Sequence, residues 1–296
     1  MTSFATSRFT MPAALAAANA FLGNPIQGNP TWVANPENEE QVRWLEMFRQ
    51  RAHVAERDLA EYIHAHGTDH LPDHAAFLAK HGWAAQINQG SPSEIYLAAV
   101  LAAGGAWMEP GHATDRRGFR RACLKQYTRF VDTTGQQIVH IPTRNRDLSY
   151  LLMEVNATRV HSFTERDLAD VSLYMVGAHL GATEAGRYEA AEVEFPMIDL
   201  STKSDASYMI GLSAGKNRVS QAAEAFTLQM NHLGGMARAA AEIAIARGGP
   251  RRISIDGPFV TAVVSRQAAE PLFAAFCDED SWKEPDLKLP TEAEER

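Results

Sequence analysis

Residues 234–259 of the chain read GGMARAAAEIAIARGGPRRISIDGPF. Counted from Gly235, every second residue is small or apolar, and the positions between them hold Arg238 and Glu242. This period of two is typical of a strand with one face towards a core and the other towards solvent. Alanine is also the best helix former, and residues 236–247 show a helical spacing as well, so the stretch taken alone favours a helix.

The alternating stretch ends at a basic, glycine-rich tip. Arg247 is followed by Gly248, Gly249 and Pro250, a polar sequence of the kind that proteases reach. A surface loop with a basic tip is the plainest interpretation of these residues. The small or apolar positions that precede it are Gly235, Ala237, Ala239, Ala241, Ile243 and Ile245.

Short motifs on both sides of this stretch follow one order along the chain. Val219-Ser220 opens a β-rich run upstream, and Asp256-Gly257-Pro258-Phe259 follows downstream. A Val-Ser strand, a Gly- and Ala-rich hinge, an exposed loop and an Asp-Arg-Pro-Phe motif follow one another in serpins, and the chain resembles that family. The resemblance extends over roughly Ser93 to Pro285. Further motifs in family order are Gly105-Ala106-Trp107, Ile141-Pro142, Leu148-Ser149-Tyr150, Thr164-Glu165, Val193-Glu194-Phe195-Pro196 and Pro271-Leu272-Phe273.

The resemblance implies an α+β fold, with helices over a large, mostly antiparallel main sheet, smaller sheets and an exposed reactive loop. In an inhibitory serpin a protease cuts the loop and forms an acyl-enzyme, and the cut loop enters the main sheet as a new strand. The native fold is then a metastable, kinetically trapped state. Transferred to this chain, the family pattern gives a reactive bond Arg247–Gly248, a hinge of Gly234, Gly235, Met236, Ala237, Ala239 and Ala241, and sheet-top packing by Trp107.

Departures from the family pattern keep other functions open. An Asn and a His that help to close the main sheet in serpins are replaced by Ala99 and Glu224, and the helix that should follow the first one is absent. The family's hinge runs Glu-x-Gly-Thr, whereas this chain has His232-Leu233-Gly234-Gly235. The fold inference withstands these changes better than the activity inference.

Three functional hypotheses follow. Arg247 would suit the pocket of a trypsin-like serine protease, so inhibition of such an enzyme comes first. A non-inhibitory serpin-like protein that binds a small molecule or a protein partner comes second. An enzyme that reuses the scaffold comes third, with His112, His140, Glu224 or the histidines between His64 and His81 as acid, base or ligand, because fold does not fix function. We expect no cofactor.

Composition bounds these hypotheses. The 296 residues are 45% hydrophobic and 22% charged, which is ordinary for a globular protein and excludes a disordered, collagen-like or coiled-coil chain. The formal net charge of −8 argues against nucleic-acid or anionic-membrane partners, which need a basic footprint. Cys123 and Cys277 are too few for a disulfide scaffold, and we expect buried thiols.

The chain is expected to form a single domain, with a helical region over 1–92, a strand-rich region over 93–285 and a frayed acidic tail over 286–296. The run Met11 to Leu22 could be mistaken for a signal peptide, but Pro12 and Asn19 favour a structural helix. We therefore expect a cytoplasmic protein, with secretion as a minor alternative.

The patterns also predict individual elements. Apolar residues from Val42 to Tyr62 recur every three or four positions, which predicts one long helix after Pro36 that Gly67 ends. A second helix is predicted over His74–Lys80. The apolar run within Glu94–Trp107 predicts a strand buried on both faces. Further strands are predicted at Gln137–Ile141, Leu148–Val155, Val219–Met230, Ile253–Ser265 and Pro271–Phe276. Thr164 and Asp167, three positions later, resemble a capping box with Asp in place of the usual Glu and predict that a helix begins there.

Histidines crowd between His64 and His81, with His66, His70, Asp73 and His74 among them. Imidazole and carboxylate are zinc ligands, but the spacing matches no recognised metal signature, and no metal site is predicted. Two residues apart on a helix, His64 and His66 would point in different directions. A solvated helix end followed by a turn is the favoured interpretation.

Overall fold

The computed structural model describes residues 3–23, 31–84, 96–125, 127–131, 135–145, 147–155, 162–181, 187–190, 192–204, 206–222, 224–235, 252–266 and 268–286. Its helices are α1 (Thr10–Leu22), α2 (Glu39–Arg57), α3 (Leu71–Lys80) and α4 (Glu165–Gly181). Its first ten strands are β1 (Phe4–Thr6), β2 (Ile63–Thr68), β3 (Tyr96–Leu101), β4 (Gly105–Ala106), β5 (His112–Arg116), β6 (Phe119–Leu124), β7 (Tyr127–Val131), β8 (Gln137–Pro142), β9 (Leu148–Glu154) and β10 (Arg187–Ala190). The others are β11 (Glu192–Pro196), β12 (Ile198–Ser204), β13 (Ser213–Ala214), β14 (Asn217–Arg218), β15 (Glu224–Met230), β16 (Gly234–Gly235), β17 (Arg252–Ser254), β18 (Phe259–Ser265) and β19 (Phe273–Cys277).

The largest sheet has seven strands in the order β1-β19-β18-β9-β8-β7-β10, and every pairing in it is antiparallel. Helix α4 packs against this sheet, and Leu168 and Met175 of the helix join Leu151, Val260 and Phe276 of the strands in one buried cluster. The cluster buries large apolar side chains, each of which stabilises the fold by roughly 1.5 to 3 kcal/mol. The predicted α+β class, with helices and mostly antiparallel sheets, is confirmed.

Two four-stranded sheets carry the region around the alternating stretch. One has the order β17-β11-β6-β5, in which β17 runs parallel to β11 and the other pairs are antiparallel. The other has the order β12-β15-β16-β4. The hairpin between β5 and β6 turns at Arg117 and Gly118, which both have a positive φ, as a tight hairpin turn requires.

Two compact units divide the chain. One contains residues 1–7, 103–202 and 226–296, and the other contains residues 8–102 and 203–225. The second unit has its own core, where Leu15 of α1, Trp32, Phe48 of α2 and Leu212 pack together. It also holds the two-stranded sheets β2-β3 and β13-β14.

The predicted long helix after Pro36 is too long. Asn38 begins α2, since its side chain accepts a hydrogen bond from the N–H of Gln41 at 3.0 Å, and the helix ends at Arg57. Leu59 and Tyr62 continue the apolar spacing but are buried beyond the helix end. Gly67 lies inside strand β2 and does not end a helix.

Several other element predictions hold with shifted boundaries. Helices α1 and α3 lie where the sequence predicts them. The predicted capping box at α4 is confirmed, because Thr164 and Asp167 exchange hydrogen bonds through side chain and backbone. The predicted strand over Ile253–Ser265 is two strands, β17 and β18. The predicted strand over Val219–Met230 begins only at Glu224, and the one over Glu94–Trp107 is divided into β3 and β4.

Cys123 and Cys277 are both free and buried, as the sequence predicts. Burial raises the pKa of the Cys277 thiol, and the neighbouring Asp278 raises it further, so this thiol stays protonated. None of the helices in the described ranges is long and apolar enough to cross a bilayer.

Candidate functional site

The predicted hinge begins with a tight turn after β15. The side-chain oxygen of Asn231 accepts hydrogen bonds from the N–H groups of Leu233 at 2.8 Å and Gly234 at 3.2 Å. The N–H of Asn231 in turn donates to the carbonyl of Gly234 at 3.0 Å. An asparagine side chain that closes a turn in this way reverses the chain direction within a few residues.

Behind the turn, β16 lies between two other strands. Gly235 pairs with Met230 of β15 on one side and with Gly105 of β4 on the other, and Gly234 pairs with Ala106. Both pairings are antiparallel. The first two residues of the predicted hinge therefore form a short strand within the sheet β12-β15-β16-β4.

Glycine is required at two positions of this strand pair. A Cβ atom on Gly235 would lie 2.6 Å from Cζ of Tyr150, and a Cβ atom on Gly105 would lie 2.7 Å from Cβ of Thr143. The hydroxyl of Tyr150 donates to the carbonyl of Gly235 at 3.2 Å. Burial raises the pKa of Tyr150, so its hydroxyl remains a donor at any physiological pH.

Trp107 ties the turn to the sheet. Its side chain is 1% exposed, and its ring nitrogen donates to the carbonyl of Asn231 at 2.8 Å. Its backbone N–H donates to the carbonyl of Leu233 at 3.2 Å, and its ring meets Tyr150 edge-on at 5.1 Å. The indole therefore satisfies buried polar groups of the turn and packs on the residue beneath the hinge.

A titratable cluster surrounds the corner of the turn. The carbonyl of His232 accepts a hydrogen bond from the N–H of Gly111 at 2.6 Å. The Nδ1 atom of the His232 ring is buried without a hydrogen-bond partner in the described part of the chain. Burial lowers the pKa of His232; Glu284 opposes this shift, whereas Arg120 and His112 add to it. The neutral imidazole is thus the form that fits this corner.

The chain beyond residues 236–251 is fixed by a buried ionic network. Arg121 is 1% exposed and Glu194 is 2% exposed, and their charged groups lie 3.8 Å apart. Arg121 also donates to the carbonyl of Ile255 at 2.5 Å and reaches Asp256 at 3.2 Å. Arg116 contacts both acids at 3.2 Å. These ties hold β17 and the residues after it on the neighbouring strand β11.

Only part of the predicted reactive loop lies within the described residues. Gly234, Gly235 and Trp107 come together as stated above. The predicted reactive bond and the rest of the hinge lie outside the described residues, and these are Arg247, Gly248, Met236, Ala237, Ala239 and Ala241.

The residues considered for catalysis are dispersed. His112 lies on β5, Glu224 begins β15, and His140 on β8 contacts His179 of α4 with ring centroids 4.5 Å apart. Among the described residues no three His, Cys, Asp or Glu side chains form a metal-binding group.

Sequence reasoning missed the supporting residues of the site. Asn231, followed three residues later by Gly234, is a turn signal that could have been read. Nothing in the sequence marks Tyr150 as the contact of Gly235, or Arg121 as a buried cation, because both depend on pairing between distant strands.

Comparisons with known proteins place this geometry. The sequence matches no protein-family profile and no curated protein. The structure is similar to that of Serpin48, a highly specific serpin of the insect Tenebrio molitor, with a TM-score of 0.58, 13% identity and coverage of 93% of this chain and 91% of that chain. The chain has the serpin fold.

The names of two other proteins with the serpin fold describe different functions. Mouse protein-Z dependent protease inhibitor matches with a TM-score of 0.54, 14% identity and coverage of 93% of this chain and 90% of that chain. Thyroxine-binding globulin in complex with thyroxine matches with a TM-score of 0.59, 11% identity and coverage of 96% and 94%. The serpin fold is therefore shared by a protease inhibitor and a thyroxine-binding protein, and fold alone does not choose between these functions.

Proposed function

We propose that the protein inhibits a trypsin-like serine protease through cleavage of the Arg247–Gly248 bond. The observation that carries the proposal is that β16 lies in the four-stranded sheet, where Gly235 pairs with both β15 and β4 and Gly234 pairs with β4. A loop that continues from this strand has its entry into the sheet already started. The small residues at alternate positions after Gly235 suit its continuation, because the face that turns inward needs small side chains.

The chemistry is that of a substrate whose turnover stops midway. The serine oxygen of the protease attacks the carbonyl carbon of Arg247, and the bond to the nitrogen of Gly248 breaks. The proton of the serine hydroxyl passes through the protease histidine to that nitrogen, which leaves as a free amine. An ester then joins the protease to Arg247. Entry of the cut loop into the sheet carries this ester away from the original position before water hydrolyses it.

The two anchors of the loop support this sequence of events. On the upstream side the loop continues from β16, which already lies in the sheet. On the downstream side the buried pair of Arg121 and Glu194 holds the chain after β17. After cleavage the upstream part is free to extend β16, while the downstream part stays with β17.

The test is an incubation of the full chain with trypsin, followed by denaturing electrophoresis and mass spectrometry. We expect an adduct that survives denaturant, with the protease attached at Arg247, and a large rise in melting temperature of the cleaved chain. Arg247→Gln should abolish the adduct, whereas Arg238→Gln, a matched arginine in the same loop, should not. Digestion without an adduct in the native protein would overturn the proposal.

A second candidate function, the binding of a small apolar molecule, rests on a groove in the second unit. The groove has a volume of about 370 Å³ and lies between α1 and β2. This volume lies in the range of small-molecule sites. Its lining is Ala13, Ala16, Ala17, Ala20, Phe21, Ala60, Ile63, Ala65, His66 and Gly67.

Titration with the fluorescent apolar probe anilinonaphthalene sulfonate tests this candidate. Ala20→Leu would fill the groove and should weaken probe binding several-fold. Ala14→Leu is the matched control on the same helix, because residue 14 does not line the groove. Equal binding by both variants would place the probe elsewhere.

A further inference from the structure

Histidines line the contact between α3 and the β2-β3 sheet. Within this sheet His64 pairs with Val100 and His66 pairs with Ala98. Directly paired residues of neighbouring strands share one face of a sheet, so both imidazoles lie on the face that carries the buried Val100 and Ala98. This arrangement corrects the sequence-based interpretation of a solvated helix end, in which the two rings would diverge.

Three ring contacts join α3 to this face. The ring of His81, which follows the last residue of α3, stacks on His64 at 4.9 Å between centroids. Phe77 of α3 stacks on His66 at 5.1 Å. His74 of α3 lies 5.8 Å from the ring of Tyr96 on β3. Each contact therefore includes at least one imidazole.

The helix depends on these contacts for its stability. It has only 10 residues, and helices shorter than about 12 to 15 residues are marginal in water without tertiary packing. Its one buried side chain is His74, which is 2% exposed. The Nδ1 atom of His74 and the Nε2 atom of His66 are buried without hydrogen-bond partners in the described part of the chain. A helix that docks through an imidazole docks well only while that imidazole is neutral.

Burial and the neighbouring cationic groups all lower the pKa values of His74 and His81 in this contact. Burial lowers the pKa of His74, and His66 lowers it further. Burial also lowers the pKa of His81, and His64 and Lys80 add to this effect.

The remaining charged pair of α3 points away from the contact. His70 and Asp73 lie 3.2 Å apart, and their side chains are 63% and 64% exposed. Tyr96 supplies the ionisable group of β3 that faces His74. Neither His74 nor His81 is therefore stabilised in its charged form by a neighbouring acid.

We propose that α3 covers the β2-β3 sheet and is released by acid. The helix is docked when His74 and His81 are neutral and detaches when they are protonated. The sign follows from linkage, because a histidine that is neutral when docked stabilises docking fully above pH 6.5 and loses that contribution as the pH falls below it. Detachment would uncover Tyr96, Ala98 and Val100. The proposal concerns the second unit alone and does not rest on protease inhibition.

Hydrogen exchange of the full chain at pH 7.5 and pH 5.5, corrected for intrinsic exchange rates, tests the proposal. When the pH is one unit below 6.5, each histidine that must be neutral for docking lowers the docking equilibrium constant by at most about tenfold. With His74 and His81 together, protection of the α3 amides should fall by up to about 100-fold. Protection of α1 and α2 should change little. Equal changes in all three helices would overturn the proposal.

Two further measurements separate acid release from general loosening. His81→Phe keeps the ring stack but cannot be protonated, so the loss of α3 protection at pH 5.5 should be up to about tenfold smaller. His70→Phe, on the exposed side of the same helix, should leave the loss unchanged. In the wild-type chain, an NMR titration should give a pKa below 6.5 for both His74 and His81. A pKa of 6.5 or above for both would contradict the proposal without reference to any variant.

Discussion

Tyr150 supports Gly235 from below: its hydroxyl donates to the Gly235 carbonyl at 3.2 Å, and its ring leaves no room for a Cβ atom above it. Hydrogen bond and steric fit depend on each other, since any side chain at position 235 would push the carbonyl away from its donor. The pair thus defines where β16 can lie between its neighbours.

Gly235→Ala should expel β16 from its position between β15 and β4. The added methyl would meet the Tyr150 ring at 2.6 Å, so either the ring or the strand must move. We expect faster hydrogen exchange at Gly234 and Gly235 and a loss of about 1 to 3 kcal/mol in unfolding free energy. Tyr150→Ala in the same chain should make the two substitutions strongly non-additive. Gly177→Ala, where a Cβ meets nothing within 4 Å, is the control and should not destabilise the chain.

Trp107→Phe should weaken the turn at Asn231. The change keeps an aromatic ring but leaves the buried carbonyl of Asn231 without its 2.8 Å donor. An unsatisfied buried acceptor costs about 1 to 3 kcal/mol, which thermal or urea unfolding would detect. Trp44→Phe, at a half-buried residue that stacks on Phe48, should cost less. Equal losses would show that the indole nitrogen is unimportant.

Arg121→Met should destabilise the chain by about 1 to 3 kcal/mol, because it removes the donor of the Ile255 carbonyl and leaves the buried Glu194 with Arg116 as its cation. Arg121→Met combined with Glu194→Gln should recover part of the loss. Arg120→Met is a matched control, since Arg120 pairs with the exposed Asp115 at 2.8 Å and such pairs contribute at most about 1 kcal/mol. Chemical unfolding of the four chains measures these differences.

Asp256 should make stability depend on pH in the acidic range. Burial opposes its ionisation, but a hydrogen bond from Ser254 and the neighbouring arginines together hold its pKa below 3.8. A carboxyl with a lowered pKa contributes stability above its unfolded value, and that contribution is lost as the pH falls below 3.8 towards the folded value. Asp256→Asn should therefore destabilise the chain at pH 6 and lose most of this effect near pH 2. A constant difference at both pH values would contradict this expectation.

His232 should make the hinge looser in mild acid. Burial is the main cause that lowers the pKa of His232, so the folded turn favours the neutral imidazole. His232 therefore contributes fully to the stability of the turn above pH 6.5, and this contribution is lost as the pH falls below that value. The N–H groups of Trp107 and Gly111 donate to carbonyls of the turn and report its opening. Their corrected exchange should accelerate between pH 7.5 and 5.5 in the native chain and remain constant in His232→Gln.

Local signals in the sequence predicted several elements correctly. The capping residues Thr164 and Asp167 form the predicted box, and α3 lies over the predicted His74–Lys80 stretch. Such features depend on a few neighbouring residues, so the sequence contains them directly. The serpin fold was indicated by the order of short motifs, and the structure confirms it.

Features that depend on contacts between residues far apart in the sequence could not be predicted. The spacing of Leu59 and Tyr62 fits a helix as well as a turn, and only the pairing of β2 with β3 shows that the helix has ended. That error also misplaced His64 and His66, which share one face in a strand and would diverge on a helix. The burial of Arg121 could not be predicted, because nothing near it in sequence supplies its buried partners.

The pairing of Gly235 with Met230 and Gly105 also sets the phase of whatever follows it. Strand side chains alternate, so the residues at odd positions after 235 would share the side on which Gly235 meets Tyr150. If the residues after Gly235 extend β16, the stretch has two alternating sets of positions, one limited by volume and one that tolerates charge. Deleting a single residue between Asn231 and Gly235 would exchange the two sets, and Arg238 and Glu242 would then fall among the positions limited by volume without being altered themselves.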